Sequence, residues 1–171
     1  MTVWWITLAS SYLLCLVAGM NAKTVYSNGY YTKKYNKFFS FMSVAILVLV
    51  AGLRSGIGDT PTYIQGYKTD APSTIAGSIK LLFSGKKDAG FYFYQGILKS
   101  IVNNPNVFIF VTSLITIVLI FITYYKYSQL LELSVFLFIT TGCYLVTMNG
   151  IRQYLASAIL FFCFSCRPLY I

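Results

Sequence analysis

Residues 133–166 read LSVFLFITTGCYLVTM, then NGIRQ, then YLASAILFFCFSC: apolar runs of 16 and 13 residues around a polar five-residue junction. A perpendicular helix needs about 20 apolar residues to cross the hydrocarbon core of a bilayer. Neither run reaches that length, and one straight helix over all 34 residues would be roughly 51 Å long at 1.5 Å per residue, which is too long. The stretch therefore predicts two short helices joined at Asn149-Gly150, with their polar junction drawn below the membrane surface. Irregular backbone at that depth is tolerated only where it lines a protein-walled or wet cavity. A polar site inside a membrane protein is the first expectation.

The rest of the chain agrees. Of 171 residues, 57% are hydrophobic and 10% charged, against about 25% charged in a soluble domain. Apolar blocks at Val3–Met20, Phe38–Leu53 and Val107–Tyr125 add three candidate spans to the two runs above. The fold class expected is all-α: a polytopic helix bundle of about five transmembrane segments plus an interfacial helix, in a single integral membrane domain over residues 1–171. The interfacial helix is Phe91 to Val102, where apolar residues recur at Phe91, Tyr94, Leu98 and Ile101, a helical spacing too short to span.

The net charge of +9 comes largely from lysines in short loops, where they set topology and meet lipid headgroups; no nucleic acid is expected as a partner. The loop with Lys23, Lys33, Lys34 and Lys37 holds no acidic residue and is read as cytoplasmic, with the N-terminus outside. There is no histidine, which removes His-based metal sites and His general bases. The four cysteines, Cys15, Cys143, Cys163 and Cys166, are read as ordinary buried small residues. No metal and no cofactor is expected.

With Phe91–Val102 on the surface, chain parity gathers Arg54, Asp59, Asp88 and Arg152 on the external side. Arg152 is the strongest signal, since an arginine within an apolar stretch costs about 2.5–3.5 kcal/mol on insertion scales. Its planar guanidinium suits the oxygens of a lipid diphosphate; the alternative is a structural pairing with Asp59, Asp88 or a backbone carbonyl. Arg54 opens Arg-Ser-Gly-Ile-Gly-Asp-Thr, where Gly56 and Gly58 allow a tight turn and close approach to a ligand, or it is simply a cation snorkelling at a helix end. Asp59 and Thr60 precede Pro61, so either is also a candidate helix cap, as is Asp88 before Ala89-Gly90. Tyr63 and Tyr67 share a helix face at i, i+4, placed for stacking on a sugar or for the headgroup level. Lys86 and Lys87 would draw in an anionic ligand, and Tyr92 and Tyr94 suit an aromatic belt. Two acids and two arginines at one mouth suit group transfer on a polyprenyl-diphosphate substrate, with an aspartate as general base.

Gly52-Leu53-Arg54-Ser55-Gly56-Ile57-Gly58-Asp59-Thr60 with Tyr63, then Asp88-Ala89-Gly90-Phe91-Tyr92, then Met148-Asn149-Gly150-Ile151-Arg152-Gln153 together resemble the EpsG family of Wzy-like exopolysaccharide and capsule polymerases. The resemblance runs from Leu47 to about Phe164. It implies a GT-C-like helical fold and a membrane glycosyltransferase outside the bacterial cytoplasmic (inner) membrane. Such an enzyme moves a growing glycan from undecaprenyl diphosphate onto the next lipid-linked repeat unit and needs no nucleotide sugar. It also implies other polysaccharide export proteins as partners. By this analogy Arg54 and Arg152 bind diphosphate and Asp59 or Asp88 activates the acceptor hydroxyl, with Gly58, Tyr63, Tyr92, Asn149 and Gln153 on the substrate. Family members are about twice as long, so the chain is expected to hold an N-terminal half, whose activity alone is in question. The competing function is a non-enzymatic, flippase-like transport or assembly component.

Overall fold

A run of apolar residues between lysines and a glycine builds the first structural pair. In the computed structural model, which describes residues 2–27, 30–83, 85 and 87–166, helix α1 (Thr2–Met20) lies along helix α2 (Lys37–Gly52). Between them, where a plain polar loop was expected, Lys23–Ser27 (β1) and Tyr30–Lys34 (β2) form an antiparallel hairpin with Lys23 opposite Lys34. The expected Lys-rich loop is thus an ordered ribbon. Asn36 caps α2, its side chain accepting from Phe38 N–H.

Three short helices follow: α3 (Thr60–Thr69), α4 (Ile75–Leu82) and α5 (Ala89–Ile101). The helix read at residues 91–102 is α5, while α4 was not expected. Helix α6 (Pro105–Tyr127) starts with proline at its first position, where no intrahelical N–H is needed. It packs on both α2 and α9 (Ile151–Cys166) and forms the central staff of the bundle.

The deciding stretch breaks twice. The expected break falls at Gly150, between α8 (Cys143–Asn149) and α9. A second falls at Thr141-Gly142, where α7 (Leu131–Thr140) and α8 meet at 56°. Gly142 adopts φ 82°, a left-handed conformation that terminates helices and that glycine enters without penalty.

The all-α class holds, and helix length and composition bear on the number of spans. Among the described residues, α1 and α6 are long and apolar enough to cross a membrane, and a third span is present if α7 and α8 count as one bent crossing. Helices α2 and α9 are apolar but 16 residues each, short of a perpendicular crossing. The cysteine reading also changes: Cys15 is fully buried, whereas Cys143, Cys163 and Cys166 are exposed. They sit on outward apolar faces together with Leu160 and Phe164, which are 60% and 65% exposed. Such faces need lipid or protein against them rather than water.

Side-chain bonds give the bundle two distinct poles. At the hairpin pole, Tyr35 donates to the Gln129 carbonyl (2.6 Å) and accepts from Leu131 N–H (3.0 Å), and Lys126 reaches the Ser165 carbonyl (3.1 Å). The start of α2, the end of α6, the start of α7 and the end of α9 therefore meet beside the lysines. At the opposite pole lie the end of α2, helices α3 to α5, and the α8–α9 junction. The main core runs between the poles through Leu47, Val48, Ile117, Phe121, Val135 and Tyr144. A second core under α3 and α5 stacks Tyr67 on Phe108 with ring centroids 4.7 Å apart.

Candidate functional site

The segment after α2 turns because Gly58 stands at φ 56°. A Cβ there would overlap Asn149 Oδ1 and lie 2.6 Å from its Cγ, so glycine is required by backbone sign and by space. The close approach is used: Asn149 Oδ1 accepts from Asp59 N–H at 2.9 Å. This bond ties the Arg-x-x-x-Gly-Asp segment to the Asn-Gly-Ile-Arg-Gln segment across 90 residues of sequence.

Arg54 lies beneath this tie, 8% exposed. Its Nε donates to Thr60 Oγ1 (2.9 Å), Nη1 to Ser113 Oγ (2.8 Å) and to the Ala51 carbonyl, and Nη2 to the Met148 carbonyl (3.0 Å). It clamps the end of α2, the start of α3, α6 and the end of α8. Met148 is one of the last carbonyls of α8, which the helix itself cannot satisfy. Burial lowers the guanidinium to about 10, so it keeps its charge at neutral pH.

Above the clamp is a cavity of about 240 Å³ between α3 and α5, closed on one side by α9. Asp59, Tyr63, Tyr92 and Arg152 line it, joined by Asp70 and Gln95. Arg152 Nη1 donates to Asp88 Oδ2 at 2.6 Å, with side chains 38% and 26% exposed. Asp88 stands at the N-cap position of α5 with φ 64°, and its carboxylate makes no cap bond. A non-glycine residue in that left-handed conformation costs of order 1 kcal/mol or more; it stands where its carboxylate meets Arg152. Asp59 likewise occupies the N-cap position of α3 without a side-chain cap bond. The cap readings therefore hold for backbone position and not for the carboxylates.

The structure thus brings Asp59, Tyr63, Tyr92 and Arg152 to one cavity, with Asp88 on Arg152 and with Gly58 and Asn149 fixing Asp59. It does not bring Arg54 or Gln153 to the cavity wall: Arg54 is spent on the four acceptors below, and Gln153 is exposed on the first turn of α9. Tyr67 and Tyr94 are packing residues of the second core, Tyr67 donating to the Val102 carbonyl (2.8 Å) and Tyr94 bonding Thr112 (2.9 Å). Lys86 lies outside the described residues, and Lys87 is exposed.

Asp70 and Gln95 are among the lining residues outside the expected set. Asp70 closes α3 and belongs to no motif. Gln95 is 2% exposed, and its Oε1 has no hydrogen-bond partner among the described residues. Gln95 falls one residue after Tyr94 on α5, and a polar residue inside an otherwise apolar helix pattern was the available signal.

No curated protein and no solved structure matches this chain. The family model of the EpsG family matches residues 37–166, a span that includes Arg54, the cavity and both segments of the Asn149–Asp59 tie; the chain belongs to the EpsG family.

Proposed function

We propose that this EpsG-family membrane protein works as a polysaccharide polymerase, transferring a growing glycan from undecaprenyl diphosphate to the next lipid-linked repeat unit. The observation that carries the reading is Arg152: a guanidinium at a membrane-protein cavity, part exposed and held by a single carboxylate among the described residues. A planar fork with free donors suits two phosphate oxygens at once.

In this reading Arg152 takes the diphosphate of the donor lipid, and Asp88 holds the fork in place until the substrate arrives. The acceptor hydroxyl attacks the sugar C1. A new C1–O bond forms as the bond from C1 to the diphosphate oxygen breaks, and undecaprenyl diphosphate leaves with its negative charge against Arg152. The hydroxyl proton passes to Asp59, whose carboxylate lines the cavity and whose N–H is fixed by Asn149. Arg54 is a positioning residue that fixes Met148 and Thr60, the neighbours of Asn149 and Asp59. Tyr63 and Tyr92 line the glycan path, and Gln153 stays available at the rim. The lysine hairpin belongs on the cytoplasmic side of the bacterial inner membrane and the cavity on the external side. Other export proteins are then partners.

The test is complementation of a strain lacking its capsule polymerase, with membrane insertion checked by blot and the glycan ladder read on a gel. The chain should restore a ladder that Arg152→Ala abolishes at equal insertion. A full ladder with Arg152→Ala rejects the reading, and single repeat units from the well-inserted parent chain that persist when the expected downstream half is co-expressed reject the polymerase.

A further inference from the structure

We propose that Asp88 is a two-position switch: it holds Arg152 in one position and, when an anion takes Arg152, moves to cap α5. The inference rests on the reading that Arg152 holds the diphosphate, and adds how its occupancy is carried to the cavity wall. The structure shows the first position, with Asp88 Oδ2 2.6 Å from Arg152 Nη1. Asp88 also stands at the N-cap position of α5, yet its backbone is left-handed, at φ 64° and ψ 23°, and its carboxylate makes no cap bond. Among the described residues it is the one non-glycine residue with positive φ. A working N-cap residue has extended backbone, and its side chain accepts from the N–H of the second or third helical residue. The Phe91 and Tyr92 N–H groups already bond the Asp88 carbonyl, at 2.9 and 3.2 Å, so the donor for a cap is Gly90 N–H. One carboxylate thus has two jobs that exclude each other.

The two positions lie close in free energy. Aspartate enters the left-handed region more readily than most residues, and the strain that remains is of the same order as the worth of a part-exposed ion pair. A ligand moves such a balance by its differential affinity. A phosphate group takes the guanidinium fork through charge-assisted hydrogen bonds, and it meets Arg152 fully only when Asp88 is away. The released carboxylate, 26% exposed where it stands, then gains the α5 cap. The turn that it caps carries Phe91 and Tyr92, which line the cavity, and Phe91 meets Tyr63 of α3 edge to face at 6.1 Å. A diphosphate on Arg152 therefore firms the wall along which the glycan lies. By linkage, whatever firms that wall raises the affinity of Arg152 for the diphosphate.

The experiment uses the full chain in lipid nanodiscs, labelled with 15N-glycine, with inorganic diphosphate as the probe. Gly90 is exposed, so its amide exchanges with solvent unless Asp88 caps it. In the parent, diphosphate should shift the Gly90 resonance and slow its hydrogen exchange severalfold. Arg152→Ala frees Asp88 to cap, so Gly90 should be protected before any diphosphate is added and should not respond to it. Asp88→Asn keeps the power to cap and loses the ion pair, and should likewise be protected from the start. Asp88→Gly fits the left-handed backbone without strain and has no side chain to cap with. Its Gly90 should stay unprotected at every diphosphate concentration, while diphosphate binds severalfold more tightly because the competing carboxylate is gone. Parent Gly90 unmoved by a diphosphate that binds would overturn the switch and leave Arg152 as the donor site. Gly90 as open in both Arg152→Ala and Asp88→Asn as in the parent would overturn it without reference to any ligand. A Gly90 response in a chain that gives no glycan ladder, even with the downstream half, supports the switch and rejects the polymerase.

Discussion

Arg54 and Arg152 are the same side chain at the same pole of the bundle, and their surroundings give them opposite work. Arg54 is 8% exposed, with four acceptors on α2, α3, α6 and α8. Among the described residues Arg152 has one carboxylate partner, and more than a third of its side chain is open. A buried charge with four of its five N–H donors taken up by the protein holds structure, and exchanging it costs several broken bonds. A part-exposed charge with one exchangeable partner holds a place for something else. An unusual arginine in an apolar sequence marks a site; the number of its internal acceptors tells which kind.

Breaking the clamp should give the largest loss of stability. Arg54→Met takes its donor from the Met148 carbonyl, Thr60 and Ser113, and leaves the Ala51 carbonyl only the 3.4 Å bond from Ser113. Unsatisfied buried groups cost about 1–3 kcal/mol each and are not additive, so the expected loss is at least ~3 kcal/mol, read as a lowered thermal midpoint in detergent. Arg54→Lys should fail to recover it, because one ammonium cannot reach acceptors arranged around a planar fork. A Lys variant as stable as the parent would make the clamp a simple charge.

The tie above the clamp comes next. Gly58→Ala meets both a left-handed φ of 56° and the Asn149 side chain, and should cost about 1–3 kcal/mol. Asn149→Ala removes the steric half, so the double variant should be less damaged than the sum of the singles. Gly56→Ala has nothing within 4 Å of the added Cβ and should stay within about 0.5 kcal/mol. Additive singles would show that the two segments do not meet at this point. Tyr94→Phe, which drops only the 2.9 Å bond to Thr112, should cost about 0.5–1.5 kcal/mol.

What was legible in the sequence follows the same division. Long apolar blocks, the break at Asn149-Gly150, the proline-led α3 and the helical spacing of α5 are local patterns, and local patterns survive folding. The bend at Gly142 was hidden because one glycine in an apolar run is tolerated in a helix and only its φ reveals a break. The hairpin had a signal that went unread: Asn28-Gly29 lies between two runs carrying Thr, Val and Tyr, a dipeptide suited to two-residue turns. Its lysines spoke more strongly of topology than its β-branched residues did of strands. In the candidate site, Arg152 stands out as a charge in an apolar stretch, and Asp59 and Asp88 as acids in the polar segment after α2. Gln95 carries no charge, and its burial and its missing partner exist only once α3 and α5 face each other. The Arg54 cage needed α6 and α8 at hand, which no spacing along the chain encodes.

A small expected effect on stability is also the one that most sharpens the contrast. The Arg152–Asp88 pair is partly exposed on both sides, and such pairs contribute about 0–1 kcal/mol. Arg152→Lys should therefore leave the thermal midpoint within a few degrees of the parent, since lysine still meets Asp88 as a charge. The glycan ladder should nevertheless disappear, because a point charge does not hold two phosphate oxygens bidentately. A chain with Arg54→Lys that fails to fold and one with Arg152→Lys that folds but does not polymerise would separate clamp from ligand site by the same substitution. If Arg152→Lys keeps the ladder, the guanidinium is only a counter-charge for Asp88, and the donor lipid must be held by other groups.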